Sequence, residues 1–213
     1  MFSRNLIAII IIMLTCSCIF GQCPTDTVKD IFSETEEMKT FTAEFVQSYK
    51  SRAFSGIRES RGYIFFKMPH FFMIHTLEPV EEIMLIEKDR MKLYNVAKDT
   101  LREEDINRYM DDFRLFYMFN VDYNEIQRSY FIRCIEDETY RISLTPKNSR
   151  IQKRLLNIII IVSRENLVME KISYYFRNEE EIHISFNNII LDAELEESVF
   201  SINQFKNSMQ EGR

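Results

Sequence analysis

Val28, Ile31, Phe32 and Met38 recur at helical spacing between positions 26 and 39, which predicts one amphipathic helix, with Asp26 placed to cap its first turn by accepting a backbone N–H. From Phe41 the period changes. Phe41, Ala43, Phe45 and Tyr49 alternate with polar Thr42, Glu44 and Gln47, the pattern of a half-buried strand. Strands then dominate: segments 60–68, 71–77, 82–87 and 90–96 are rich in Ile, Phe, Met and Tyr, and Met68-Pro69-His70, Glu78-Pro79 and Lys88-Asp89 separate them as hairpin turns. Between 99 and 120 the spacing of Leu101, Ile106, Tyr109, Phe113, Phe116 and Tyr117 predicts a helical insert within the sheet. Strands resume at 129–136, 139–145, 154–164, 167–176 and 180–190, joined by short polar turns. Consecutive strands without crossover helices predict an antiparallel meander of about ten to eleven strands, curved at that number.

Several strands are apolar on both faces, among them Tyr63-Ile64-Phe65-Phe66, Phe71-Phe72-Met73-Ile74 and the run at 158–162. A sheet with one solvated face alternates strictly, so either helices cover the second face over a solid core or an apolar cavity lies behind it. Composition is compatible with both. At 46% hydrophobic, with 4 Gly and 4 Pro in 213 residues, the chain has material for one packed domain and does not resemble a disordered or linker-dominated sequence. Its 27 Lys and Arg against 33 Asp and Glu give a net charge of −6, with the signs interleaved, which disfavours a nucleic-acid partner.

The first residues have the plan of a secretory signal: Arg4, an apolar run at 6–14, then small residues and cysteines. Nine residues fall short of the ~20 a membrane-spanning helix needs, which favours a cleaved signal over an uncleaved single-span anchor. This divides the chain into a signal segment at 1–22 and a single exported domain at 23–213, expected to be a monomer. Cys18 follows the small residue Ser17, so its acylation, which would anchor the protein to a membrane, stands beside simple cleavage and release. In an oxidising compartment Cys23 and Cys134 could pair, or Cys134 could be a buried free thiol.

Catalytic signatures are missing. His70, His75 and His183 show no helical i, i+4 pair, and one thiol follows residue 23, so no metal site is expected. Gly56 and Gly62 stand alone without a phosphate-loop Lys-Ser or Lys-Thr, and no Gly-x-Ser-x-Gly elbow occurs. The carboxylate runs at 103–105 and 179–181 read as solvated turns. The expectation is a binding protein without cofactor, not an enzyme.

Ordered phrases then carry a family resemblance. Met38-Lys39-Thr40-Phe41-Thr42-Ala43-Glu44-Phe45-Val46-Gln47, the strand from Gly62 to Pro69, Phe72-Met73-Ile74 with Pro79 after it, Tyr94-Asn95, Leu144-Thr145-Pro146-Lys147 and a terminal strand at Phe200-Ser201-Ile202 resemble the LolA family of periplasmic outer-membrane lipoprotein carriers. The resemblance implies an unclosed antiparallel β-barrel, or curved sheet, with helices covering its concave side over a cavity for acyl chains. It implies an inner-membrane lipoprotein-releasing complex and an outer-membrane acceptor as partners, and acylated lipoproteins or lipid as cargo. On that fold the cavity is expected to be lined by Phe41, Phe45, Ile64, Phe66, Met68, Phe72, Ile74 and Met84, with Phe113, Phe116 and Tyr117 as a lid. Met68, beside Lys67, stands where the family commonly has an Arg implicated in lid closure, and Met cannot donate hydrogen bonds. The alternative is a LolB-like acceptor anchored through Cys18, or a lipid-binding or scaffolding module.

Overall fold

A computed structural model describes residues 21–69, 71–88, 90–105 and 122–211, the last four of these by their backbone alone. Twelve strands form one antiparallel sheet: β1 (Gly21–Gln22), β2 (Thr40–Lys50), β3 (Ile57–Lys67), β4 (Phe71–Glu78), β5 (Glu82–Glu87), β6 (Arg90–Asn95), β7 (Thr100–Asp105), β8 (Tyr130–Glu136), β9 (Thr139–Pro146), β10 (Leu155–Ser163), β11 (Met169–Phe176) and β12 (Glu181–Leu191). Their order is β1-β8-β9-β10-β11-β12-β2-β3-β4-β5-β6-β7. Two meanders are thus joined where β12 pairs antiparallel with β2. The edge strands β7 and β1 do not pair, so the sheet remains open and is not a barrel.

Among the described residues four α-helices accompany it: α1 (Thr25–Glu37), α2 (Tyr123–Ser129), α3 (Ser149–Gln152) and α4 (Ile202–Glu211). Helix α1 buries the predicted stripe of Val28, Ile31 and Phe32. It starts after Pro24, however, and Asp26 lies inside its first turn, where a carboxylate favours the helix N-terminus electrostatically without capping it. Asp122 does cap α2, accepting from the N–H of Asn124 at 2.8 Å. The α1 and α2 side chains join the inner face of β8–β10, with the Phe32 and Tyr123 rings 6.2 Å apart, over Ile142, Leu144 and Ile158, which have no exposed surface. A disulfide between Cys23 and Cys134 ties the start of α1 to β8.

Two further expectations are corrected. Residues 100–105, read as the beginning of a helical insert, form β7: they pair with β6 through six successive residues, and Leu101 is exposed. Local spacing suggested a helix, but the edge of β6 supplied the backbone partners. The rest of that insert, with the lid residues Phe113, Phe116 and Tyr117, lies outside the described residues. Phe200-Ser201-Ile202, read as a strand, is a 3₁₀ turn at Glu197–Phe200 leading into α4. Phe200 and Ile202 bury themselves against the sheet's outer face rather than adding to its edge.

That outer packing accounts for strands that are apolar on both faces. Along β4, Phe72 and Ile74 face inward, while Phe71 and Met73 face outward under the C-terminal segment. Met73, Ile83, Leu85, Tyr94, Phe200 and Ile202 make this outer cluster, with Phe71 stacked on Phe200 at 5.1 Å. The inner side holds the larger cluster.

Candidate functional site

The register of β2–β6 sets the same change of character on five neighbouring strands. Ala43 opposes Ile64, Ile64 opposes Ile74, Ile74 opposes Met84 and Met84 opposes Leu93, so one cross-strand row is wholly apolar. One step towards the β4–β5 turn the row runs Phe45, Gly62, Thr76, Glu82 and Asn95. Gly62 is required there, since a Cβ would come within 2.0 Å of the His75 carbonyl oxygen. The register shift between Arg61 and Gly62 marks a bulge at this close approach, a feature of the kind that bends a strand, beside a hollow on the inner face.

In the hollow is a cavity of about 280 Å³. Its walls are Phe45, Ile64, Phe72, Ile74, Met84 and Leu93 from β2–β6 and Ile172, Tyr174, Ile184 and Phe186 from β11 and β12. Gln47, Ser60, Thr76 and Glu82 form a polar rim, with Glu82 accepting from the Asn95 amide at 2.7 Å. The Tyr174 phenol is 1% exposed, and burial pushes its pKa well up, so it remains neutral. An apolar wall with a few polar groups at one end suits an amphiphile.

Of the eight cavity residues expected from sequence, five border this space: Phe45, Ile64, Phe72, Ile74 and Met84. Phe41 borders a second cavity of about 200 Å³. Phe66 is buried in the row between Phe41 and Phe72. Met68 packs on the inner cluster at the end of β3, where its N–H donates to the Lys39 carbonyl at 2.8 Å. Lys67 points the other way and donates to the Leu195 carbonyl. Cys18 lies outside the described residues. The β11 and β12 wall was missed, although Ile172/Tyr174 and Ile182/Ile184/Phe186 carry a period-two signal. Nothing local in that signal says that β12 returns to lie beside β2.

One polar cluster has the composition of a catalytic triad. On the outer face His183 Nδ1 lies 2.9 Å from Ser173 Oγ, and Nε2 lies 3.2 Å from Glu181, whose other oxygen accepts from Lys50 at 2.9 Å. Hydrogen bonds from Lys50, then from His183, hold the Glu181 carboxyl below its ordinary range. Ser173 is 4% exposed and opposes His183 in the ladder, so the cluster ties β2, β12 and β11 together and presents no open nucleophile. Among the described residues no three His, Cys, Asp or Glu side chains gather to hold a metal, and no helix is long and apolar enough to cross a membrane.

The sequence model of the family described as "Outer membrane lipoprotein carrier protein LolA" matches residues 36–203. The chain belongs to the LolA family. That match takes in every strand from β2 to β12 and all the walls just described. No curated protein matches the chain. Among solved structures, an uncharacterized conserved protein from Thermus thermophilus superposes with a TM-score of 0.53 at 9% identity, covering 82% of this chain and 92% of its own. MucB in the Pseudomonas aeruginosa MucA/MucB complex gives 0.50 at 12%, covering 81% of this chain, which spans 58% of that one. A LolA superfamily protein from Nitrosomonas europaea gives 0.45 at 8%, with 85% and 99% covered. At such identities the likeness is one of fold.

Proposed function

We propose that this LolA family protein binds the acyl chains of lipoproteins in its inner cavity and ferries them through the periplasm to the outer membrane, by binding alone and without covalent chemistry. The observation that carries the reading is the cavity: ten apolar or aromatic walls, contributed by seven strands on one concave face, under a polar rim. Each methylene moved from water into such a space is worth ~0.8 kcal/mol, enough for a chain to be held in aqueous transit. The Cys23–Cys134 disulfide supports an oxidising compartment. An inner-membrane releasing complex and an outer-membrane acceptor are the partners this role calls for.

Native mass spectrometry of protein purified gently from the periplasm tests the reading. A co-purifying acylated protein or lipid is the expected result. An apo mass under conditions that preserve a known carrier complex would reject it. The Ser17-Cys18 pair keeps a second reading in play, a LolB-like acceptor anchored by acylation. There Cys18→Ala would move the protein from the membrane to the soluble fraction, whereas a shuttle is soluble throughout.

A further inference from the structure

Two cavities share the inner face, and one pair of rings stands between them. Phe186 closes one side of the larger cavity, while Phe41 walls the smaller, which lies between the end of α1, the β10–β11 turn and the end of β12. The two rings meet edge to face, with centroids 5.9 Å apart and planes at 87°. Both side chains are buried, at 2% exposure for Phe41 and 6% for Phe186.

The backbone brings them together through an irregularity. Phe186 opposes Phe45, and Leu191 opposes Phe41, so β12 takes five steps (186 to 191) where β2 takes four (45 to 41). The extra residue falls between Asn187 and Ile190, with Asn188 at φ 50°, in the left-handed region that Asn tolerates. A bulge of this kind re-aims neighbouring side chains. Here it turns the chain between the two cavities while Phe186 keeps its place on the inner face.

We infer that the Phe41–Phe186 pair is a septum that sets the length of acyl chain the protein accepts. This rests on the acyl-binding reading and deepens it. At about 280 Å³ the larger cavity lies at the low end of the ~300–1,000 Å³ usual for pockets that enclose a small ligand, so with the rings in contact it takes one short chain or part of a longer one. The smaller cavity adds about 200 Å³, room for roughly six methylenes if each fills about the ~30 Å³ of a liquid water. Its far wall is polar, with Glu34, Glu37, Asn166 and Asp192. A methyl terminus driven that far would strip water from carboxylates, so a closed septum also keeps the chain end in apolar surroundings.

The test uses monoacylglycerols with saturated chains of graded length, added to the purified protein and read by native mass spectrometry as the longest chain retained. Phe41→Ala is the decisive variant, because Phe41 does not border the larger cavity. If the pair is a septum, its removal extends the longest chain retained, by at most roughly six carbons at ~30 Å³ per methylene. Phe72→Ala deletes the same ring from the larger cavity away from the septum and should extend it less. Phe41→Leu, a milder change, serves if the alanine variant does not fold and should shift the limit in the same direction. An unchanged length profile in Phe41→Ala or Phe41→Leu, with binding retained, overturns the septum and leaves acyl binding intact. A folded wild-type protein that takes none of the probes overturns the acyl-binding reading and the septum with it.

Discussion

Strands β4–β6 carry apolar clusters on both faces, built from the same residue types, yet among the described residues one borders a cavity and the other is packed under a covering segment. Outside, Met73, Ile83, Leu85 and Tyr94 are covered by a segment that supplies Phe200, Ile202 and Phe205 as knobs of its own. Inside, Ile74, Met84 and Leu93 face a cavity and are only partly buried. Composition therefore does not decide whether an apolar face becomes core or container. What decides it is whether the covering element brings side chains of matching volume.

The largest effect belongs to the solid side. Phe200 is 4% exposed and stacked on Phe71, so Phe200→Ala should cost about 3–5 kcal/mol, as aromatic truncations in cores do. Urea midpoints give the loss, and monoacylglycerol binding below the transition should stay at the wild-type level. Binding that falls in step with stability would mean that the two faces act as one unit. On the inner side, reducing the Cys23–Cys134 bridge or changing Cys134→Ala opens a link across 111 positions and should lower stability by about 2–5 kcal/mol. Equal midpoints with and without reductant would show that α1 and β8 hold without it.

Much of this contrast was open to a reader of the sequence. Period-two alternation located β2, segments set off by short polar turns located the strands from β8 to β12, and the doubly apolar phrases flagged β3, β4 and β10 as apolar on both faces. The phrase at 71–74 posed a choice between covering helices and a cavity, and the molecule uses both, one on each face. The role of Phe186 was not legible, because its opposition to Phe45 joins residues 141 positions apart. Nor was β7: Thr100–Asp105 has no alternation, and its exposed side chains report only that a neighbouring edge provides the hydrogen bonds.

The hollow side can be filled without being broken. Ile74 lies at the middle of the apolar row, half-buried against Ile64 and Met84, so Ile74→Trp grows into open space. Its stability cost should fall below the ~1–3 kcal/mol of overpacking a filled core, while monoacylglycerol retention should disappear. Retention at the wild-type level in a folded Ile74→Trp protein would place the ligand elsewhere.

The smallest effect concerns the outer segment's fastening, and its sign follows from three groups. Asp99 lies below the ordinary carboxylate pKa, first because Lys206 donates to it at 2.6 Å and next because the Tyr94 hydroxyl does so at 3.0 Å. A lowered folded pKa gives stability that is present above the unfolded value of ~3.9 and is lost as pH falls through the folded one. Tyr94 is raised, chiefly by burial, and Lys206 is raised, chiefly by its bond to Asp99. Those contributions hold below the unfolded values of ~10 and ~10.4 and are lost as pH rises through the folded ones. Helix α4 should therefore loosen at both extremes and be indifferent between them, by a small amount because Asp99 is largely exposed. Hydrogen-exchange protection factors for residues 202–211 would show this, and Asp99→Asn, which keeps an acceptor but loses the charge, should abolish the acid limb. Monoacylglycerol retention through the same acid window should stay flat, because Asp99 and Lys206 fasten the outer face and border none of the cavity. If retention follows the protection of α4, the sheet transmits strain between its faces, and the cavity owes its open volume to the clamp behind it.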